Sequence, residues 1–204
     1  MFKKIGLILA SSISAFAMHS AEININEKDL EFALNLDMGQ YNRNVEPDTT
    51  FLGVQYLKAS DDNSEYYNGK TAELKYFLEL NFLIKQEVKN SGLKIGLGVK
   101  TNFSKVYDKK FMSVPIGLDV SYGLPLKDFI PVEVGAEVYY APESLSFSDA
   151  HGFLEYRLGL VAELIERGSV FFGYRSLNTE YQIDKITYDI TYNESSYFGF
   201  KFEF

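Results

Sequence analysis

The chain has 204 residues, of which 46% are apolar, 16% aromatic and 24% charged, with a formal net charge of −8 at pH 7. That length suits one domain of moderate size, and that composition excludes a disordered chain. The absence of Cys excludes a disulfide framework, a thiolate metal site, a cysteine nucleophile and a lipoprotein anchor, and an acidic balance without a basic cluster excludes nucleic acid as an expected partner.

In chain order, Met1–Ser20 reads as a secretory signal peptide. Lys3 and Lys4 precede an apolar, Ala/Ser-rich run from Ile5 to Ala17, and Ala15-Phe16-Ala17 fits a small-x-small cleavage rule. The apolar run is too short for a membrane-anchoring helix. The domain expected after it covers 21–204, and no later stretch has the ~20 consecutive apolar residues of a membrane helix. What recurs is period-two alternation, the mark of a strand with one apolar face. It runs through Leu30–Met38, more weakly through Leu52–Tyr56, and then through Leu74–Ile84, Leu93–Val99, Met112–Tyr122 and Val132–Tyr140. It resumes in Leu154–Leu164, Val170–Tyr174, Ile186–Tyr192 and Phe198–Phe204. Turn-rich stretches separate them, among them Ser60–Lys70, Lys85–Ser91, Ala141–Asp149, Asn178–Gln182 and Asn193–Ser196. Pro115 inside a strand predicts a bulge or a broken ladder.

The pattern predicts an all-β fold: a closed antiparallel transmembrane β-barrel of about ten strands, with eight to twelve as the range. Glycine placement orients the faces. Gly39, Gly53, Gly96, Gly98, Gly117, Gly135, Gly159, Gly173 and Gly199 all fall on the polar face, which suits the crowded inside of a small barrel. The large apolar side chains then point out, towards lipid, rather than in as in a lipocalin-like barrel. Hydrocarbon offers the backbone no hydrogen-bond partner, so the sheet has to close. Counting from Leu30, the stretches Ser60–Lys70 and Ala141–Asp149 fall on the side of the termini, the periplasmic side. This conflicts with the usual short periplasmic turns and would be reversed by a missed strand.

The chain ends in Phe198-x-Phe200-x-Phe202-x-Phe204, which resembles the terminal assembly signal of bacterial outer-membrane proteins, with Phe200, Phe202 and Phe204 as its aromatic residues. The segment Tyr139-Tyr140-Ala141-Pro142-Glu143-x-Leu145-x-Phe147-x-Asp149, followed by Tyr156, Arg157, Gly173-Tyr174-Arg175 and Thr179, resembles the YfaZ family of outer-membrane proteins. The resemblance is clearest over the C-terminal third. It implies a barrel in the cell outer membrane, exported through its signal peptide. The implied partners are outer-membrane lipid, lipopolysaccharide and the barrel assembly machinery. It implies no catalytic residues.

Turning the polar face inward encloses many charges. The acids are Glu31, Asp37, Glu73, Glu79, Asp119, Glu133, Glu137, Glu155, Glu163, Asp189 and Glu203, and the bases are Lys75, Lys94, Lys100, Arg157, Arg175 and Lys201. The expected cluster has Arg157 and Arg175, on adjacent strands, bridging Glu133, Glu137 and Glu155. A lumen filled by such ion pairs points to a non-enzymatic envelope protein; acids lining an open path would instead make a narrow cation-preferring porin. A third reading makes His151, beside Ser146, Ser148 and Asp149, the base of a membrane-embedded lipid hydrolase. With that loop counted as periplasmic, His151 reads as a rim residue. Asp61, Asp62 and Glu65 lack the spacing of a calcium loop and read as a solvated acidic turn, and Tyr66-Tyr67 reads as a rim anchor. No metal or cofactor is implied.

Overall fold

The computed structural model describes residues 20–26, 29–58, 66–67, 70–71, 74–106, 109–126, 130–183 and 186–204. The signal-peptide segment 1–19 and the acidic stretch Asp61, Asp62 and Glu65 lie outside them, as do the side chains of Glu73, Lys75, Tyr66 and Tyr67.

Ten strands make the wall: β1 (Ser20–Ile25), β2 (Leu30–Asp37), β3 (Thr50–Lys58), β4 (Leu74–Glu87), β5 (Leu93–Val106), β6 (Lys109–Ser113 and Ile116–Gly123), β7 (Val132–Ala141), β8 (Ala150–Ile165), β9 (Gly168–Ile183) and β10 (Ile186–Glu203). Each pairs antiparallel with its neighbours in sequence, and β1 pairs with β10, from Ser20↔Glu203 to Ile25↔Phe198. Among the described residues the ten strands form one closed antiparallel barrel.

Several boundaries differ from those expected. Ser20–Ile25 is a wall strand, although its short Ala-Glu-Ile-Asn-Ile pattern carries little signal. Ile186–Glu203 is a single strand rather than two, because Asn193–Ser196, polar enough to read as a turn, pairs with β9 throughout. These two differences cancel in the count of ten. The extra strand at the start puts the end of β3, the start of β4 and the connection 142–149 at the rim opposite the termini, reversing the side predicted from the sequence. Asn178–Gln182 likewise belongs to β9, and β4 runs on to Glu87.

Pro115 acts as expected. Both parts of β6 keep one register on β5, Asn102↔Ser113 and Val99↔Ile116, bridged by Lys100 N–H donating to the Pro115 carbonyl at 2.9 Å. On the other side the ladder breaks where proline has no N–H to give. There β7 pairs only with Ile116–Gly123. A 3-10 turn (Glu143–Leu145) then carries the chain to a short strand, Ser146–Ser148, that pairs with Lys109–Ser113.

The two faces of the wall differ sharply. Large apolar side chains face outward on every strand, with Leu97 64%, Phe172 56% and Leu158 54% exposed. Phe200 and Phe202 stand in this outer row on β10, and Phe204 is exposed just beyond its end. Charges and glycines face inward. Gly98 and Gly117 lie against the inward ring of Tyr139, and Gly173 against that of Tyr197; a Cβ at any of the three would overlap the ring.

At the rim opposite the termini the inside is mainly apolar, with Ser104 and Thr179 buried among the larger side chains. Leu57, Phe77, Phe111, Phe153, Leu177, Tyr181, Ile190 and Tyr192 form a buried plug. The Phe77 ring lies 5.7 Å from that of Phe153 and 5.1 Å from that of Tyr192, and Phe111 lies 5.5 Å from Tyr181. A bulge supplies two of these side chains. Leu177 pairs with Asn193 but Asn178 pairs with Thr191, leaving Tyr192 as the extra residue on β10. Beyond it the inward face changes parity. Ile190 and Tyr192, expected outside, are buried within, and Asp189, expected in the lumen, is exposed on the outside.

Candidate functional site: a charged lumen closed at one end

Beneath the plug, side chains from six strands meet in one ion-pair network. Arg157 and Arg175 are direct ladder partners on β8 and β9. Arg157 Nε donates to Glu155 Oε1 at 2.5 Å, and its Nη1 donates to Glu31 Oε1 at 3.0 Å. Arg175 Nη1 donates to the other oxygen of Glu31, while its Nε donates to Asn193 Oδ1 at 2.8 Å. Glu31 stands on β2, across the lumen from both arginines. Lys100 on β5 closes the network, with Nζ 2.8 Å from Glu155, 3.2 Å from Glu79 and 3.7 Å from Glu137. It also lies 4.0 Å from the centroid of the Tyr139 ring. Glu31, Glu79, Lys100, Glu155 and Arg175 are all at least 97% buried. Charges so deeply placed persist only when each is met by opposite charge and hydrogen bonds.

The cluster expected from the sequence is therefore assembled differently. Glu155, Arg157 and Arg175 do come together. Glu137 pairs with Lys100 rather than with an arginine, and Glu133 pairs with Lys94 at 3.5 Å near the rim by the termini. The carboxylate joining the arginines is Glu31, which chain order hides because β2 and β9 meet only by barrel closure. Asn24 supports it, donating from Nδ2 to Glu31 at 2.6 Å. Asn193 also donates to Asp29, tying the β1–β2 turn to β10. Asp37 has a local task instead. It accepts the N–H groups of Gly39 and Asp48 at 2.9 and 3.0 Å and so folds the 38–49 connection against the rim.

Below the network, on the side of the termini, the lumen opens into a cavity of about 490 Å³. Its walls include Glu22, Asn24, Glu79, Lys85, Glu137 and Lys201. Glu22 belongs to the strand that the sequence hardly marks, and Lys85 lies on β4 where a turn was expected; it pairs with Asp119 at 2.5 Å. The lumen is a cup, filled over one half and hollow over the other.

His151 sits at the plugged rim, its Nδ1 3.6 Å from Glu143. The Ser146 hydroxyl donates to the Pro142 carbonyl at 3.0 Å. The histidine and that serine thus face separate partners.

Comparison of the chain with protein-family models and with curated proteins finds no match.

Proposed function

We propose that this chain is an integral, non-enzymatic protein of a bacterial outer membrane, a barrel whose lumen is sealed. The observation that carries the reading is the outward apolar belt on a closed sheet. A water-soluble barrel puts that face inside; a membrane barrel puts it against acyl chains. The belt has a suitable height. On β8 the outward residues from Tyr156 to Leu164 span eight steps, or roughly 26 Å along the strand and about 20 Å in height at the usual tilt. Outward tyrosines, Tyr56, Tyr76, Tyr140, Tyr156 and Tyr174, stand towards its plugged end, where an aromatic girdle belongs. Above them the outer face of β9 and β10 turns polar, with Gln182, Asp189 and Glu194 exposed.

In this reading the termini and the open cup face the periplasm, and the plugged rim, with the 142–149 connection, faces outward. The buried network and the apolar plug favour a sealed barrel over a porin. Lipid and lipopolysaccharide surround the belt, and Phe200, Phe202 and Phe204 serve the assembly machinery. The YfaZ resemblance and removal of a signal peptide, by a cut after Ala17 that leaves Ser20 in β1, belong to the same proposal.

The test is folding by dilution from urea into phosphatidylcholine vesicles. The expected product migrates as a compact species in unheated gels, loses that form on boiling, and resists carbonate extraction. A monodisperse, folded protein in detergent-free buffer would overturn the reading.

A further inference from the structure

At the plugged rim the outer face of β3 to β6 is built in two rows. The row nearer the belt is apolar. Tyr56, Leu78, Phe103, Met112 and Phe147 are successive ladder partners across β3, β4, β5, β6 and the short strand Ser146–Ser148. One outward step nearer the rim, the side chains change kind. Lys58 follows Tyr56 on β3, Lys105 follows Phe103 on β5, and Lys110 precedes Met112 on β6. Tyr76 stands on β4 between Lys58 and Lys105, its ring stacked 6.5 Å from that of Tyr56.

These lysines lack the partners that the inward ones have. Lys85, Lys94, Lys100 and Lys201 each meet a carboxylate. Lys105 and Lys110 are instead direct ladder partners, and like charges so placed cost stability unless an anion lies between them. Asp149 is already taken by Lys109 Nζ at 3.8 Å and by the backbone N–H of Lys110 at 2.9 Å. Among the described residues no carboxylate pairs with the ammonium groups of Lys58, Lys105 or Lys110.

Their height matches a lipid headgroup. On β5 the outward residues from Leu93 to Phe103 span ten steps, roughly 33 Å along the strand and about 25 Å in height at the usual tilt, the full apolar band of a membrane barrel. Lys105 is the next outward residue. The outer face of β9 and β10 carries Glu180, Asp189 and Glu194 beyond its own aromatic residues, so an anion is welcomed on one side of the barrel and repelled on the other.

We propose that the strip over β3 to β6 binds one molecule of lipopolysaccharide through the two phosphates of its lipid A disaccharide. Lys105 and Lys110 together meet one phosphate, and Lys58, two strands or roughly 10 Å from Lys105, meets the other. The Tyr76 hydroxyl between them faces the sugar, and acyl chains lie along the apolar row. A glycerolipid with a single phosphate engages only one end of the strip. The proposal deepens the outer-membrane reading and rests on it, because that reading puts the plugged rim in the outer leaflet.

Native mass spectrometry of the detergent-folded protein with lipid A tests it, with monophosphoryl lipid A and phosphatidylglycerol as comparisons. One lipid A retained per barrel is expected, with the monophosphoryl form held several-fold more weakly and phosphatidylglycerol more weakly still. Lys105→Gln combined with Lys110→Gln should weaken lipid A binding by at least about tenfold, the loss typical of one charge-assisted hydrogen bond. Lys58→Gln should abolish the preference for lipid A over its monophosphoryl form. Lys89→Gln, an exposed lysine at the opposite rim, should change nothing. No retained lipid A, equal retention of phosphatidylglycerol, or unchanged affinity in the double variant would overturn the site. Folding in detergent-free buffer would instead overturn the membrane reading beneath it.

Discussion

Arg157 and Arg175 stand directly opposite each other on neighbouring strands, and both guanidinium groups end on the carboxylate of Glu31. Like charges in such ladder positions repel unless a third group separates them. Glu31 does so from across the lumen, so one side chain keeps two cations tolerable and fixes β2 relative to β8 and β9. Glu31→Ala would leave both arginines short of their shared counter-ion. The expected loss is about 3–5 kcal/mol in urea unfolding from vesicles. A loss below about 1 kcal/mol would mean that water screens the cluster.

The outer belt makes a prediction that separates lipid from water. Leu158 is more than half exposed near the middle of the belt. Leu158→Arg should cost about 2–4 kcal/mol of folding stability in a bilayer. Gln182→Arg, above the belt on β9, should stay within about 0.5 kcal/mol. Equal, small effects at both positions would place the belt in water.

Tyr139 and Gly98 are expected to be energetically coupled. A methyl group at Gly98 meets the Tyr139 ring and no other group as closely. Gly98→Ala should destabilise by about 1–3 kcal/mol, and most of that cost should vanish when Tyr139→Ala is already present. Additive effects in the double-mutant cycle would show that the ring can move aside.

The bulge at Tyr192 predicts opposite outcomes for adjacent residues. Ile190→Asp places a carboxylate among Phe77, Phe111 and Tyr181 and should cost about 3 kcal/mol or more. Asp189→Ala, on the outside, should change stability by less than about 0.5 kcal/mol. Unbroken alternation through β10 would reverse that order.

In the proposed sealed barrel the plug and the ion-pair layer both close the lumen, so the wild type should insert into planar bilayers without stepwise conductance. Phe77→Ala with Phe153→Ala removes much of the plug but keeps the ion-pair layer, and it should remain closed. Discrete cation-selective steps from the wild type would overturn the sealed reading.

The wall was legible in the sequence because β-sheet periodicity is local. Leu74–Ile84 and Leu154–Leu164 declare their two faces without reference to any neighbour. Glycine placement settled which face is concave. What the sequence concealed is what depends on distant partners or on a single backbone irregularity. Ser20–Ile25 is too short and too polar to stand out, yet closure gives it neighbours on both sides. The Tyr192 bulge inverts a face without changing the residue pattern. Glu31 could be placed in the lumen, but its partners lie 126 and 144 residues away, and only the closed cylinder brings them together.

The seam between β1 and β10 also governs how such a wall is made. The first wall strand finds its second neighbour only in the tenth, so any shorter run of the wall carries two unsatisfied edges. Ribosome-paced, strand-by-strand maturation cannot yield a finished cylinder. The polypeptide has to be held pliable and protected until its final segment arrives, and closure then completes the wall in a late, slow, long-range step.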